Sequence, residues 1–130
     1  MMKRGVILVA MLCGVLAAVP ALGLTATAKN GDVRVAGTCT GASASKLKLS
    51  AENGRVEVEF EVDQNRNGVR WNVVLRRNGK LVTRTSALTK APSGSFTARK
   101  LVANGSGPDL IKATATRPGE TCTAKAAFSA

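Results

Sequence analysis

The sequence predicts an all-β domain, a sandwich of two antiparallel sheets built from about seven or eight short strands. Two observations carry that expectation. Apolar residues alternate with period two, and beyond the N-terminal segment no stretch shows an apolar stripe at helical spacing. Clusters of turn-forming residues recur about every 8 to 12 residues, which is the rhythm of a β-sandwich.

Val33 to Cys39 and Lys46 to Ser50 read as the early strands. The clearest strand is Arg55 to Asp63, which places Val56, Val58, Phe60 and Val62 on one face and Glu57, Glu59 and Glu61 on the other. Val69 to Arg77 follows with Trp71, Val73 and Leu75 on its apolar face. The next strand runs from Lys80 to Ala87, after an Asn78-Gly79 pair that is a strong type I′ hairpin signal. Phe96 and Ala98 begin a further strand, Ile111, Ala113 and Ala115 mark another, and Cys122, Ala124, Ala126 and Phe128 mark the last.

The N-terminus has the layout of an export signal: Lys3 and Arg4, then an uncharged apolar run of 15 residues from Gly5 to Val19, then Pro20 and small residues. A membrane-spanning helix needs roughly 20 apolar residues, so a cleaved signal peptide over 1–28 is expected, with cleavage after Ala28 or earlier near Gly23. A single domain over 29–130 would remain, secreted or associated with the cell envelope and without a membrane span. It would keep two of the three cysteines, Cys39 and Cys122, an even pair in an oxidising compartment and therefore an expected disulfide. No cofactor is implied, since the chain has no His and no Cys-x-x-Cys spacing.

Charge is unevenly distributed. The chain carries a formal +11, or +9 without Lys3 and Arg4. No Asp or Glu occurs between Gln64 and Pro108, while that stretch holds nine Lys and Arg; the rest of the mature chain is neutral. Arg66, Arg70, Arg76, Arg77, Lys80 and Arg84 form the densest part of this block and are the candidate residues for binding a polyanion. Phe60, Trp71, Phe96 and Phe128 all fall at apolar-face positions, so the exposed rings that stack on bases are lacking and no specific nucleic-acid role is expected. Anionic envelope polymers or lipid head groups, or another secreted protein, are the expected partners.

The hexapeptide Asp63 to Gly68, DQNRNG, matches the first half of a calcium loop through Asp63, Asn65 and Asn67. The bidentate Glu required at the twelfth position is Val74, and Arg66 and Arg70 would repel a dication. These residues are better explained as a turn, where Asp and Asn side chains bond nearby backbone N–H groups. Catalysis has little support without His. A small hydrolase using the Glu57, Glu59 and Glu61 stripe would need carboxylates in unlike environments, and same-face neighbours on one exposed strand lie alike, about 6.5 to 7 Å apart.

Trp71 with Val73 and Leu75, then RRNGK, SGSF, IKATAT and the final TCTAKAAF resemble strands C, C′, E, F and G of fibronectin type III and bacterial immunoglobulin-like domains. An immunoglobulin domain pairs cysteines on strands B and F, where this chain has Phe60 and Ala113; here the bridge would join A to G. The pattern is also similar to small exported proteins of actinobacteria. The resemblance implies that Arg55 to Asp63 lies between Lys46 to Ser50 and Phe96 to Arg99, with the glutamates facing Lys46 and Lys48 on one side and Arg99 on the other. The resulting expectation is a secreted, non-catalytic module that binds anionic envelope polymers through its basic region. The alternative is a protein-interaction or inhibitor domain acting through its loops.

Overall fold

A computed structural model describes residues 31–129, so the expected signal segment lies outside the described residues. Nine strands follow in order: β1 Val33–Ala36, β2 Thr38–Cys39, β3 Ala44–Glu52, β4 Arg55–Asp63, β5 Arg70–Arg77, β6 Lys80–Leu88, β7 Ser95–Ala103, β8 Asp109–Arg117 and β9 Glu120–Phe128. They form two antiparallel sheets, ordered β1-β3-β4-β7 and β2-β9-β8-β5-β6. This all-β sandwich is consistent with an immunoglobulin or fibronectin III type of fold, in which B lies between A and E, opposite a G-F-C-C′ sheet. No described helix is long and apolar enough to cross a membrane.

Alternation along each strand builds the core. Val56, Val58, Phe60 and Val62 of β4 are fully buried against Trp71, Val73 and Leu75 of β5, with Ile111, Cys122 and Phe128 completing the opposite layer. Burying each of these side chains stabilises the fold by roughly 1.5 to 3 kcal/mol before entropy is counted. Trp71 also donates its indole N–H to Gln64 Oε1 at 3.0 Å, which satisfies its one polar atom. The β5–β6 turn carries positive φ at both Asn78 and Gly79, as a type I′ hairpin requires.

The first strand expected from sequence is two strands in different sheets. β1 pairs with β3, whereas β2 pairs with β9. The chain changes sheets at Gly37, where a Cβ would press on the Thr123 carbonyl and the Ser45 hydroxyl, so only glycine fits the crossing. Cys39 and Cys122 are directly opposite each other and joined by a disulfide. The bridge therefore ties β2, not β1, to the last strand, within one sheet at the edge where the two sheets are laced together.

The glutamate stripe lies as expected. Glu61 is opposite Lys46, and Glu59 is opposite Lys48 on one side and Arg99 on the other. The ion pairs measure 3.3 Å for Lys46–Glu61, 3.6 Å for Lys48–Glu59 and 3.0 Å for Arg99–Glu59. The outer face of the four-stranded sheet is thus charged but largely compensated.

Candidate polyanion-binding face

The outer face of the five-stranded sheet differs in kind. Its residues are those between the buried positions of β9, β8 and β5, with their partners on β2 and β6, and strand pairing arranges them in rows. One row runs Lys125, Lys112, Arg76, Leu81 across four strands; the next runs Thr38, Thr123, Thr114, Val74, Arg84; a third runs Thr121, Thr116, Asn72, Ser86; and Arg70 faces Leu88 at the end. Adjacent strands lie about 4.8 Å apart and successive rows about 6.5 to 7 Å apart.

Five cations, Arg70, Arg76, Arg84, Lys112 and Lys125, therefore share one face with hydroxyl side chains. All eight acidic residues of the chain are elsewhere: six on or beside the four-stranded sheet, and Asp109 and Glu120 buried. None of the five forms an ion pair among the described residues. Like charges directly opposite on a sheet destabilise it by a few tenths of a kcal/mol or more each. Lys125, Lys112 and Arg76 are in that relation on three consecutive strands. The local contacts of this face are weak: Arg70 Nη1 donates to Ser86 Oγ at 3.1 Å and Arg76 Nη1 to the Gly79 carbonyl at 3.5 Å.

Not every residue singled out from sequence lies here. Arg77 has the inward parity of β5 and closes one end of the sandwich, with Nη2 2.7 Å and Nε 2.9 Å from Asp109 Oδ1. Lys80 lies opposite Arg77 at the hairpin turn. Arg66 is exposed on the loop between β4 and β5. Lys112 and Lys125 were missed because they lie outside the acid-free block, although their alternation with Ile111, Ala113, Ala124 and Ala126 marks them as outward-facing.

The hexapeptide from Asp63 to Gly68 carries the chain from one sheet to the other. The Asp63 carboxylate accepts the Asn65 backbone N–H at 3.1 Å, and Asn65 takes a positive φ. Buried Thr89 pins the loop: its hydroxyl donates to the Arg66 carbonyl and accepts the Val69 N–H at 2.9 Å, while its own carbonyl accepts the Gly68 N–H at 2.7 Å. Gly94 has a positive φ, and a Cβ there would clash with the Arg66 backbone. Turn geometry uses Asp63 and Asn65 as turn residues.

Two carboxylates, those of Asp109 and Glu120, are buried. The Gly105 backbone N–H, donated at 2.9 Å, leads in holding Asp109 below its ordinary value; burial opposes this, and the Arg77 guanidinium and the Asn78 amide add to it. For Glu120 the largest influence is burial, which pushes its pKa up. It is outweighed by the Ser43 backbone N–H and hydroxyl, each at 2.9 Å, and by Arg117 at 3.1 Å, so the net shift is downward. Arg117 in turn lies 5.4 Å from the Trp71 ring centroid, a cation–π contact. Cys39, Cys122 and Glu120 have their ligand-type atoms within 4.8 Å of one another, but the two sulfurs are bonded to each other and the carboxylate is occupied by Ser43 and Arg117.

No family model, curated protein or solved structure matches the chain.

Proposed function

We propose that this is an exported, non-catalytic binding module whose five-stranded sheet holds anionic polymers of the cell envelope. The observation that carries the reading is the row Lys125, Lys112, Arg76, three cross-strand cations without a carboxylate on the same face. Such an arrangement costs the isolated domain stability and is relieved by a ligand with repeated negative charge. The neighbouring threonine row supplies hydroxyl groups to the same ligand. The non-catalytic part of the reading is supported by the state of the two buried carboxylates. Both are ionised and paired with arginine, so neither is a proton donor or a free base near neutral pH.

Replacing Arg76, Lys112 and Lys125 together by Thr tests the reading. Retention on purified anionic envelope polymer at low salt is expected to fall by at least tenfold, with the melting temperature unchanged or slightly raised. Retention equal to that of the unmodified protein would overturn it.

A further inference from the structure

β6 and β7 end the two sheets on the same side of the sandwich, and neither has a further strand beside it among the described residues. Both lie inside the acid-free stretch 64–108. Free strand edges present unpaired N–H and C=O groups, and β7 shows which of its groups these are. Ser95 makes an isolated antiparallel bridge with Lys90, with Lys90 N–H donating to the Ser95 carbonyl at 3.0 Å and Ser95 N–H to the Lys90 carbonyl at 3.4 Å. Backbone groups alternate sides along a strand, so Thr97, Arg99 and Leu101 also direct their N–H and C=O away from β4. No backbone partner meets them among the described residues. The Lys90–Ser95 bridge is the first rung of a ladder that stops there.

Beside these groups runs an open groove of about 360 Å³ lined by Thr83, Thr85 and Ala87 of β6 and by Ala98, Arg99 and Lys100 of β7. It continues past Ser86 and Thr97 into a second hollow of about 590 Å³ bordered by Arg70 and Lys90. Lys100 is the informative residue. It has the inward parity of β7, opposite buried Val58, yet it is exposed at the groove. An inward-directed charge on an edge strand blocks the addition of an apolar strand or of a second copy, whose own Lys100 and Arg99 would be brought near. The same charge favours a strand that brings a carboxylate.

We propose that the free edge of β7 takes an extended acidic polypeptide segment of another protein as an added strand. The segment's backbone continues the ladder begun by Lys90 through Thr97, Arg99 and Leu101, and its carboxylates meet Lys100, Lys90 and Arg70. Strand addition supplies affinity through main-chain hydrogen bonds and specificity through alternate side chains. This surface is separate from the row of Lys125, Lys112 and Arg76.

An eight-residue peptide of alternating Val and Glu is the probe, read by amide hydrogen exchange of isotope-labelled protein. At a free concentration ten times its Kd, the Thr97, Arg99 and Leu101 amides are expected to exchange about tenfold more slowly. The same peptide with Lys in place of Glu, or N-methylated on its bonding edge, is expected to give no protection. Lys100→Thr is expected to weaken the Glu peptide several-fold, whereas the Arg76, Lys112 and Lys125 triple replacement leaves it bound. Absence of protection at these three amides overturns the proposal. So does protection that the triple replacement abolishes, which would make the peptide another ligand of the outer face. Self-association of Lys100→Thr in a protein that takes no peptide also overturns it, because Lys100 then serves only to keep edges apart.

Discussion

Single residues at inward positions decide how this small domain responds to its surroundings. Glu120 and Asp109 have the parity of Cys122 and Ile111, so acids at core positions were readable in the sequence as an anomaly. Their partners were not, because Ser43 is 77 residues from Glu120 and Arg77 is 32 residues from Asp109. Both carboxylates have folded-state pKa values lowered from ordinary values of 4.5 for Glu120 and 3.8 for Asp109. The stability they contribute is therefore present above those values and is lost as pH falls through the lowered folded ones. Urea midpoints measured against pH are expected to be level near neutrality and to drop below about pH 4.5. The drop should be shallower in Glu120→Gln. Gly94 is the other sensitive position: a side chain there meets the Arg66 backbone at a left-handed φ. Gly94→Ala is expected to lower stability by about 1 to 3 kcal/mol in a denaturant titration.

At the level of elements, alternation made most of the strands legible, and their pairing gave the glutamate stripe its partners. One element was concealed by the same alternation. Val33, Val35, Gly37 and Cys39 keep a single parity through the crossing, so nothing in the pattern distinguishes one strand of seven residues from two short strands in separate sheets. The basic block was legible as a bias of composition. Its division into an outer-face set that reaches the groove at Arg70, the Arg77–Asp109 pair and the groove-lining Lys100 depends on pairing between strands distant in sequence. The row of like charges makes its own prediction. Lys112→Thr, which removes the middle cation between Lys125 and Arg76, is expected to raise stability by about 0.2 to 1 kcal/mol at low ionic strength. The gain should shrink in 1 M salt, where the Debye length is about 3 Å. A loss of stability at low salt would show that the row is held by contacts other than charge.

On the scale of the molecule, the Cys39–Cys122 bridge closes a loop with a separation of 83 residues around nearly the entire sandwich. The chain-entropy model assigns such a closure up to about 4.5 kcal/mol, much of what keeps a domain of this size folded. Reduction is thus expected to lower the denaturation midpoint by a large margin, with a Cys39→Ala and Cys122→Ala double variant matching the reduced protein. The bridge also has a mechanical consequence. Cys39 and Cys122 lie near the two ends of the described chain, so tension applied to those ends passes from one to the other through the S–S bond. The 82 residues between them, one fewer than their separation, bear none of it. Most of both sheets, Arg70, Arg76, Arg84 and Lys112 of the cationic face, and the open β7 edge fall inside this unloaded ring, whereas Lys125 lies on the tail beyond Cys122. In single-molecule pulling, the oxidised protein is expected to lengthen only by its short tails, whereas the reduced protein releases about 280 Å of additional chain at about 3.4 Å per residue. Pulling the two ends apart would in this way leave the β7 edge and most of the cationic face intact.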